Sequence, residues 1–461
     1  MHLVELSDKF VSRFNEPGPY YTSYPTLSEW SASIGAAEYS QALERFADAY
    51  EQPCAGLYIH FPFCPKQCLY CVCNAVISQD SLYINKFLDT LEREIDLLFS
   101  FFMRRNRALR INAIHLGGGS PSFLEKRGFL KVMQALDKWH IRDAFEEFSI
   151  EVDPRTVSAE KFDWYREAGI TRLSFGIQDF SAEVQKVINR EQPFELVQSL
   201  LTPDVRRDFS SINFDILYGL PLQTYDSFVA TVRKVVELSP DRITLLRYAH
   251  MPESRRHQET LSHYPMPDDN EKVRMFIAAS QIFTEAGWVH IGIDHFAKPA
   301  DSLAISAQNG TMQRSFIGFA PGWSQNLLGV GPTATMQVGS LYAQNVYSLD
   351  DYDKAIGDGQ FPVSRGCSLE TDDLVRRDVI NSILCRYQVS FKEIEYKYKI
   401  LFKNYFKREI NELSELEAEG ILELTAHDIT VTPYGKFFLR QICKVFDRYL
   451  QTGKRYTIAG P

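Results

Sequence analysis

The chain is 461 residues long with a formal net charge of -9. That length exceeds one ordinary domain and suggests a large catalytic unit with a smaller appendage, while the acidic balance leaves no basic footprint for nucleic acid and makes a small molecule the expected substrate. Four of the eight cysteines fall within positions 64–73 and the others are scattered, a usage that suits a reducing cytosol and argues against a disulfide framework.

Residues 1–52 read as an N-terminal arm. The opening stretch mixes charges into its apolar residues and offers no signal-peptide core. No later run is long enough to cross a bilayer, 97–103 (LLFSFFM) included, so the expectation is a soluble, cytoplasmic monomer without membrane contact. Within the arm, 15–26 (NEPGPYYTSYPT) carries prolines that forbid a regular helix or a central strand. Its clustered tyrosines are costly to leave in water, so the segment should pack across another part of the fold.

From 53 to 362 short apolar runs alternate with longer stretches of helical period. Strands are predicted over 57–61, 111–116, 148–152, 171–176, 212–217 and 242–246, and helices over 83–102 and 125–139. Six such units in series imply a parallel sheet with crossover helices; the spacing does not separate an open sheet from a partial barrel. In either form ligands gather at the carboxyl ends of the strands, and polar residues fall there. A cysteine loop follows the first strand, 117–121 (GGGSP) the second; Glu151 and Asp153 lie at the third, Gln178 and Asp179 after the fourth, Asp215 in the fifth. Three glycines would let the backbone come close to a ligand and offer it amide donors. A carboxylate at 215, inside an apolar strand, must be paired or hydrogen-bonded; an internal ion pair with Arg172 or Arg190 is one account and a shared ligand the other. Histidines 60, 115, 250 and 295 add to no metal-ligand spacing and read as packed or hydrogen-bonded.

Residues 363–461 form a second region of charged, amphipathic stretches. Helices are predicted over 372–386 and 390–419, short strands over 420–425 and 428–435, and a last helix over 436–450. The order is reminiscent of a winged-helix module. In an acidic chain a lid or docking role fits better than nucleic-acid binding.

The most specific feature is 61–74 (FPFCPKQCLYCVCN), where Cys64, Cys68 and Cys71 are spaced C-x3-C-x2-C and Cys73 adds a fourth thiol. Three thiolates this close should converge on one inorganic centre. Zinc is the alternative, but it usually takes two C-x2-C pairs or a histidine partner; here the spacing is uneven and no second pair follows. A cluster held by three cysteines keeps one iron open for a chelating cosubstrate. The spacing resembles the signature of the radical S-adenosylmethionine (SAM) enzymes, and Tyr70, directly before Cys71, stands where they commonly place an aromatic residue against the SAM adenine.

A longer series of motifs narrows the resemblance. Residues 18–26 (GPYYTSYPT), the cysteine loop, 117–121 (GGGSP), 151–155 (EVDPR), 176–180 (GIQDF), 189–192 (NREQ), 215–221 (DILYGLP), 248–250 (YAH), 294–297 (DHFA) and 342–345 (YAQN) together resemble the oxygen-independent coproporphyrinogen III dehydrogenase family. That resemblance implies an α/β fold: a partial (β/α)6 TIM-like radical SAM barrel with an N-terminal arm and a mainly helical C-terminal domain. It implies one 4Fe-4S cluster on Cys64, Cys68 and Cys71, with Cys73 not ligating, and two SAM molecules. Tyr58, Tyr70, Gly118 and Glu151 would hold the first SAM, with Thr335 at a further first-SAM position. Gly119, Ser120, Gln178, Arg190, Asp215 and Ala249 would hold the second. Glu151, Tyr58 and Arg247 are expected in the catalytic set. The implied chemistry is reductive cleavage of SAM to a 5'-deoxyadenosyl radical, removal of a propionate hydrogen and loss of carbon dioxide to leave a vinyl group. It runs twice, with a one-electron donor such as flavodoxin or ferredoxin.

The chain departs from the family where substrate would be read. Tyr20 replaces an arginine of the arm, Ile317 a glutamine, Thr335 an isoleucine and Arg247 an asparagine, and 321–324 (PGWS) is unlike the usual threonine-rich run. A four-carboxylate porphyrinogen wants cationic and amide partners; Arg247 could restore one contact but not both. The alternative among enzymes is a relative that uses the second SAM as carbon donor, a methyltransferase or cyclopropanase acting on another substrate. A haem-binding chaperone descended from the family is a third reading, and Cys73 stands against it, since such relatives typically lack that fourth cysteine.

Overall fold

A computed structural model describes residues 8–140, 145–322 and 325–450. All six predicted strands form. β1 (Cys54–Phe61) runs into the cysteine loop, where β2 (Phe63–Cys64) and β3 (Val76–Ile77) pair. β4 (Arg110–Gly118) lies parallel to β1, and β5 (Glu147–Val152), β6 (Arg172–Gln178), β7 (Ser211–Tyr218) and β8 (Arg242–Arg247) each lie parallel to the strand before. The crossover after the cysteine loop is the helix Ser81–Met103, which starts where Asp80 accepts from the amides of Leu82 and Tyr83.

The strands alternate in kind. Leu57, Ile59, Ile114, Phe148, Leu173 and Phe214 are buried beneath the helices, each contributing about 1.5–3 kcal/mol. Their neighbours Tyr58, His115, Glu151, Ser174 and Asp215 take the other face, as the two-residue period demands. That polar face is concave: Arg242 on β8 reaches Glu147 on β5 (3.4 Å) although two strands lie between them. The sheet is therefore a partial barrel.

The sequence pattern does not predict the next eight strands, which precede the C-terminal helices. β9 (Val289–Ile291) and β10 (His295–Ala297) extend the sheet antiparallel beyond β8. β11 (Met312–Ser315) and β12 (Gly318–Pro321) form a hairpin that enters the concave face, where Ile317 and Ala320 pack on Ala113. β13 (Leu327–Val330) adds a seventh parallel strand beside β1, followed by the antiparallel β14 (Thr335–Val338), β15 (Leu341–Asn345) and β16 (Val363–Ser368). The main sheet thus has twelve strands with β16 and β9 at its edges, and its architecture changes only after Ser368, later than position 362. Trp323 and Ser324, part of the divergent run at 321–324, lie outside the described residues.

One carboxylate ties this flank to the barrel. Glu94, 2% exposed on the helix Ser81–Met103, accepts from the Gly331 amide, the Asn345 side chain and the Tyr352 hydroxyl. Burial without a cation pushes it from 4.5 up to about 7. The folded chain then holds a proton that the unfolded chain has released, so stability falls as pH rises between those values. That difference is worth about 3 kcal/mol. Denaturant midpoints should fall between about pH 5 and about pH 7. Glu94→Gln, which cannot ionise, should lack that part of the slope while starting lower, because an amide nitrogen cannot accept from Gly331.

In the C-terminal region the helix Thr371–Arg386 forms as predicted. The stretch 390–419 breaks into Phe391–Tyr398, Phe402–Tyr405 and Lys407–Ala418. Lys399 turns the chain in a left-handed conformation, and Phe391 stacks on Phe402 at 4.1 Å, so aromatic packing wins over helix continuity. β17 (Gln388–Ser390), β18 (Leu422–Leu424) and β19 (Asp428–Val431) make a small sheet with β19 central. The last predicted helix is shortened to a 3-10 turn, Gly435–Phe438, and the helix Leu439–Val445. Beyond it the arm takes the chain: Tyr21 donates to Asp447 (3.1 Å) and the Arg448 amide donates to the Tyr24 hydroxyl (3.1 Å). Both tyrosines are buried, as the cost of leaving them in water requires. No helix among the described residues is long and apolar enough to cross a membrane.

Candidate active site

The cysteine loop is closed at its base and pinned on its outer side. The Val76 amide donates to Pro62 and the Ser78 amide to Cys64, so the loop leaves and re-enters beside the end of β1. Outside, Leu69 donates to Ile188, Asn189 to Gln67 and His257 to Cys71. Gln258, which carries no sequence signal, is fully buried and donates to the carbonyls of both Tyr70 and Ala249. One amide thereby fixes the loop to the end of β8.

All eight cysteines are free thiols. Among the described residues no group of three or more His, Cys, Asp or Glu side chains is drawn tightly enough for a single metal ion, so what recommends the loop is its donor set. Arg190 and Arg155 each bring a guanidinium to the Cys68 sulfur at 3.5 Å. Burial, with Cys71 and Cys68 close by, pushes the Cys64 thiol up to about 12; such a thiol ionises readily only against a strong positive centre. Three thiols with these properties fit an iron–sulfur cluster. The Cys73 amide donates to the Cys71 sulfur (3.4 Å) and its own side chain is exposed.

The glycine triplet has a different cause from the expected one. The amides of Gly119 and Ser120 donate to Phe61 and Phe63, and that of Gly118 to Glu151. The donors are spent on the cysteine loop and on Glu151. A Cβ on Gly119 would stand 2.6 Å from the Pro62 carbonyl, and Gly118 has a φ of +115°. The glycines let two loops lie against each other.

Two polar groups flank the loop. In the first, Tyr58 stacks on His115 (5.8 Å) and donates its hydroxyl to His60 Nδ1 (2.9 Å). His60 Nε2 donates to the Asn74 carbonyl and burial holds it below its ordinary value, so the ring is neutral. His115 Nε2 meets Glu151 at 3.3 Å, and the Glu151 side chain remains 40% exposed. Tyr58, Gly118 and Glu151 are thus brought together, with Thr335 two strands from Tyr58. In the second group, Gln178 and Arg190 converge above Gly176: a Cβ there would lie 2.9 Å from both. Gln178 holds a left-handed φ of 67°. Arg190 pairs with Asp153 (3.2 Å) and donates to the Gly176 carbonyl, yet its buried Nε has no partner. Ser120 is buried nearby on the loop after β4.

Other expectations are corrected. Among the described residues Asp215 has no ion pair; it accepts from Asn213 and Ser174, and burial raises it. Arg172 pairs with Glu147 instead, and Arg190 with Asp153. Asp179 faces the helical layer, where Gln223 and Thr231 hold it. The Arg247 guanidinium is committed to Asp269 and Asn15, both at 2.7 Å. The four histidines, by contrast, are hydrogen-bonded as expected, His250 to Tyr248 and His295 to Asp294.

Residues 58–235 match the Radical SAM superfamily. The chain is 36% identical over 445 residues to the oxygen-independent coproporphyrinogen III oxidase of Escherichia coli (strain K12), covering 96% of each chain. It is 34% identical over 459 residues to the protein of the same name from Synechocystis sp., covering 97% of this chain and 96% of that one. The solved structure of coproporphyrinogen III oxidase from Escherichia coli, a radical SAM enzyme, is similar with a TM-score of 0.87 at 36% identity, over 93% of this chain and 97% of that one.

Proposed function

The chain belongs to the oxygen-independent coproporphyrinogen III oxidase family of radical SAM enzymes, and on that premise we propose that it converts coproporphyrinogen III propionates to vinyl groups. For each, a hydrogen atom is removed from the side chain, carbon dioxide leaves and one further electron passes to an acceptor. The observation that carries this reading is the extent of the match: identity spans arm, barrel and C-terminal region, beyond the part shared with the superfamily at large.

A 4Fe-4S cluster with SAM supplies, when bound, the one-electron cleavage that makes a hydrogen-abstracting carbon radical. Cys64, Cys68 and Cys71 would hold the cluster. Tyr58, Tyr70, Gly118, Glu151 and Thr335 would hold one SAM; Gly119, Ser120, Gln178, Arg190, Asp215 and Ala249 a second. Two polar groups on either side of one loop support that count. Glu151, part-exposed and oriented by His115, is placed to accept from an ammonium group. The unpartnered Nε of Arg190 is placed to donate to a carboxylate or hydroxyl. The part-buried Tyr58–His60–Asn74 chain borders the site on the β1 side. A one-electron donor of the flavodoxin or ferredoxin kind completes the reading.

The substitution at Tyr20 does not leave the site without cations. Its ring lies under Arg440 (5.3 Å) and its carbonyl accepts from Arg314 (3.2 Å). Anaerobic incubation of reconstituted protein with reductant, SAM and coproporphyrinogen III should give vinyl products by mass spectrometry. SAM cleavage with the porphyrinogen returned unchanged would sink the reading, and S-adenosylhomocysteine alongside 5'-deoxyadenosine would assign carbon transfer instead.

A further inference from the structure

The β11–β12 hairpin, the helix Thr371–Arg386 and the concave face of β1 and β14 enclose a small, narrow cavity of about 20 Å³. Gly56 and Gln337 border it on the strands, Arg314 on the hairpin, Arg377 and Asn381 on the helix. Gly56 shares a face of β1 with Tyr58, and Gln337 shares a face of β14 with Thr335. The cavity therefore lies one pleat repeat, about 7 Å, below the level of those two residues.

Its lining is rich in donors and holds no carboxylate. Arg377 is 8% exposed, and its Nη1 is buried without a hydrogen-bond partner. Tyr342 and Asp378 keep it charged from the other edge, but Asp378 stands 3.9 Å away and is shared with Lys397 and the Tyr398 hydroxyl. Arg314 is 9% exposed and donates only to the carbonyls of Tyr20 and Tyr21, with its plane over Phe319. The carboxylate it faces, Asp294, is bonded to His295 at 2.6 Å. The Gln337 and Asn381 amides make no hydrogen bond elsewhere among the described residues. A buried cation is tolerated when something compensates it, and here the protein supplies only part of that.

We infer that the cavity is an anion site that takes a carboxylate, gripped by Arg377 and Arg314 with the amides of Gln337 and Asn381 completing the cradle. A guanidinium fork matches a carboxylate in shape as well as charge. The inference deepens the reading above and rests on it in one respect: the substrate proposed there carries carboxylate side chains, one of which is the assigned ligand. A free small anion is the other source of the same chemistry.

Anaerobic equilibrium dialysis with coproporphyrinogen III tests it on Arg377→Met and, should that variant fold poorly, on Gln337→Glu, which sets a negative charge in the cavity with hardly any change of shape. Both should bind the porphyrinogen about tenfold or more weakly than wild type. If their affinities are unchanged while inorganic phosphate raises the unfolding temperature of wild type and not of the variants, the site belongs to a free anion. If neither quantity separates wild type from the variants, the anion site is overturned. That result would leave vinyl formation by wild type, and hence the reaction assignment, untouched.

Discussion

Anaerobically reconstituted Cys68→Ala protein should show no four-iron visible absorbance and should cleave SAM no faster than a protein-free control. Cys68 is 8% exposed, at the centre of a loop pinned from both sides, with Arg190 and Arg155 at its sulfur. Replacing a group that only supports a metal ligand typically costs 10–100-fold, and Arg155→Met should fall in that range. Loss of a ligand itself should exceed it. Cys73→Ala should keep both cluster and cleavage, because Cys73 is exposed and the amide it gives to the Cys71 sulfur survives the substitution. Full absorbance and full cleavage in Cys68→Ala would overturn the ligand assignment.

Gly119→Ala should lower unfolding stability by about 2–4 kcal/mol. The new methyl would meet the carbonyl oxygen and carbon of Pro62 at 2.6 and 2.7 Å and the Phe63 carbonyl at 2.8 Å. All three are backbone atoms of the cysteine loop, which is itself paired at β2 and β3, so relief requires one loop to leave the other. Gly117→Ala makes the contrast: its methyl would meet the side chains of Glu151 and His115 at 2.8 and 3.0 Å. There the expected result is weaker SAM binding with near-normal stability, because side chains can turn aside. Denaturant unfolding beside SAM equilibrium dialysis separates the two outcomes; equal midpoints for Gly119→Ala and wild type would show that the loops are not held together.

The parallel core was readable because its strands are short apolar runs between long amphipathic helices, and the outward residues of β1 to β8 carry that pattern without interruption. The flank was not. β9 to β14 are three or four residues long and mix glycine, polar and apolar residues; their pairing is decided by the sheet they join. Site residues at strand ends, such as Glu151 and Gln178, could be found by position alone. Their partners could not: Gln258 lies far along the chain in a segment with no pattern of its own, and the Asp153–Arg190 pair crosses 37 residues. The carboxylate at 215 illustrates the limit. Sequence demanded a partner for it, but only packing decides that amide and hydroxyl donors fill the role that Arg172 and Arg190 seemed to offer.

The grip of Tyr21 and Tyr24 on Asp447 and Arg448 joins positions more than 420 residues apart. During synthesis the arm emerges first, and although Arg247, Arg314 and Tyr342 can hold parts of it earlier, its last partners, Asp447 and Arg448, leave the ribosome only at the end. The barrel can close around its own helices well before then, since its strands pair with near neighbours. The segment bearing Tyr20 is therefore set last, and a truncated chain that folds its barrel and binds iron would still present an unfinished entrance.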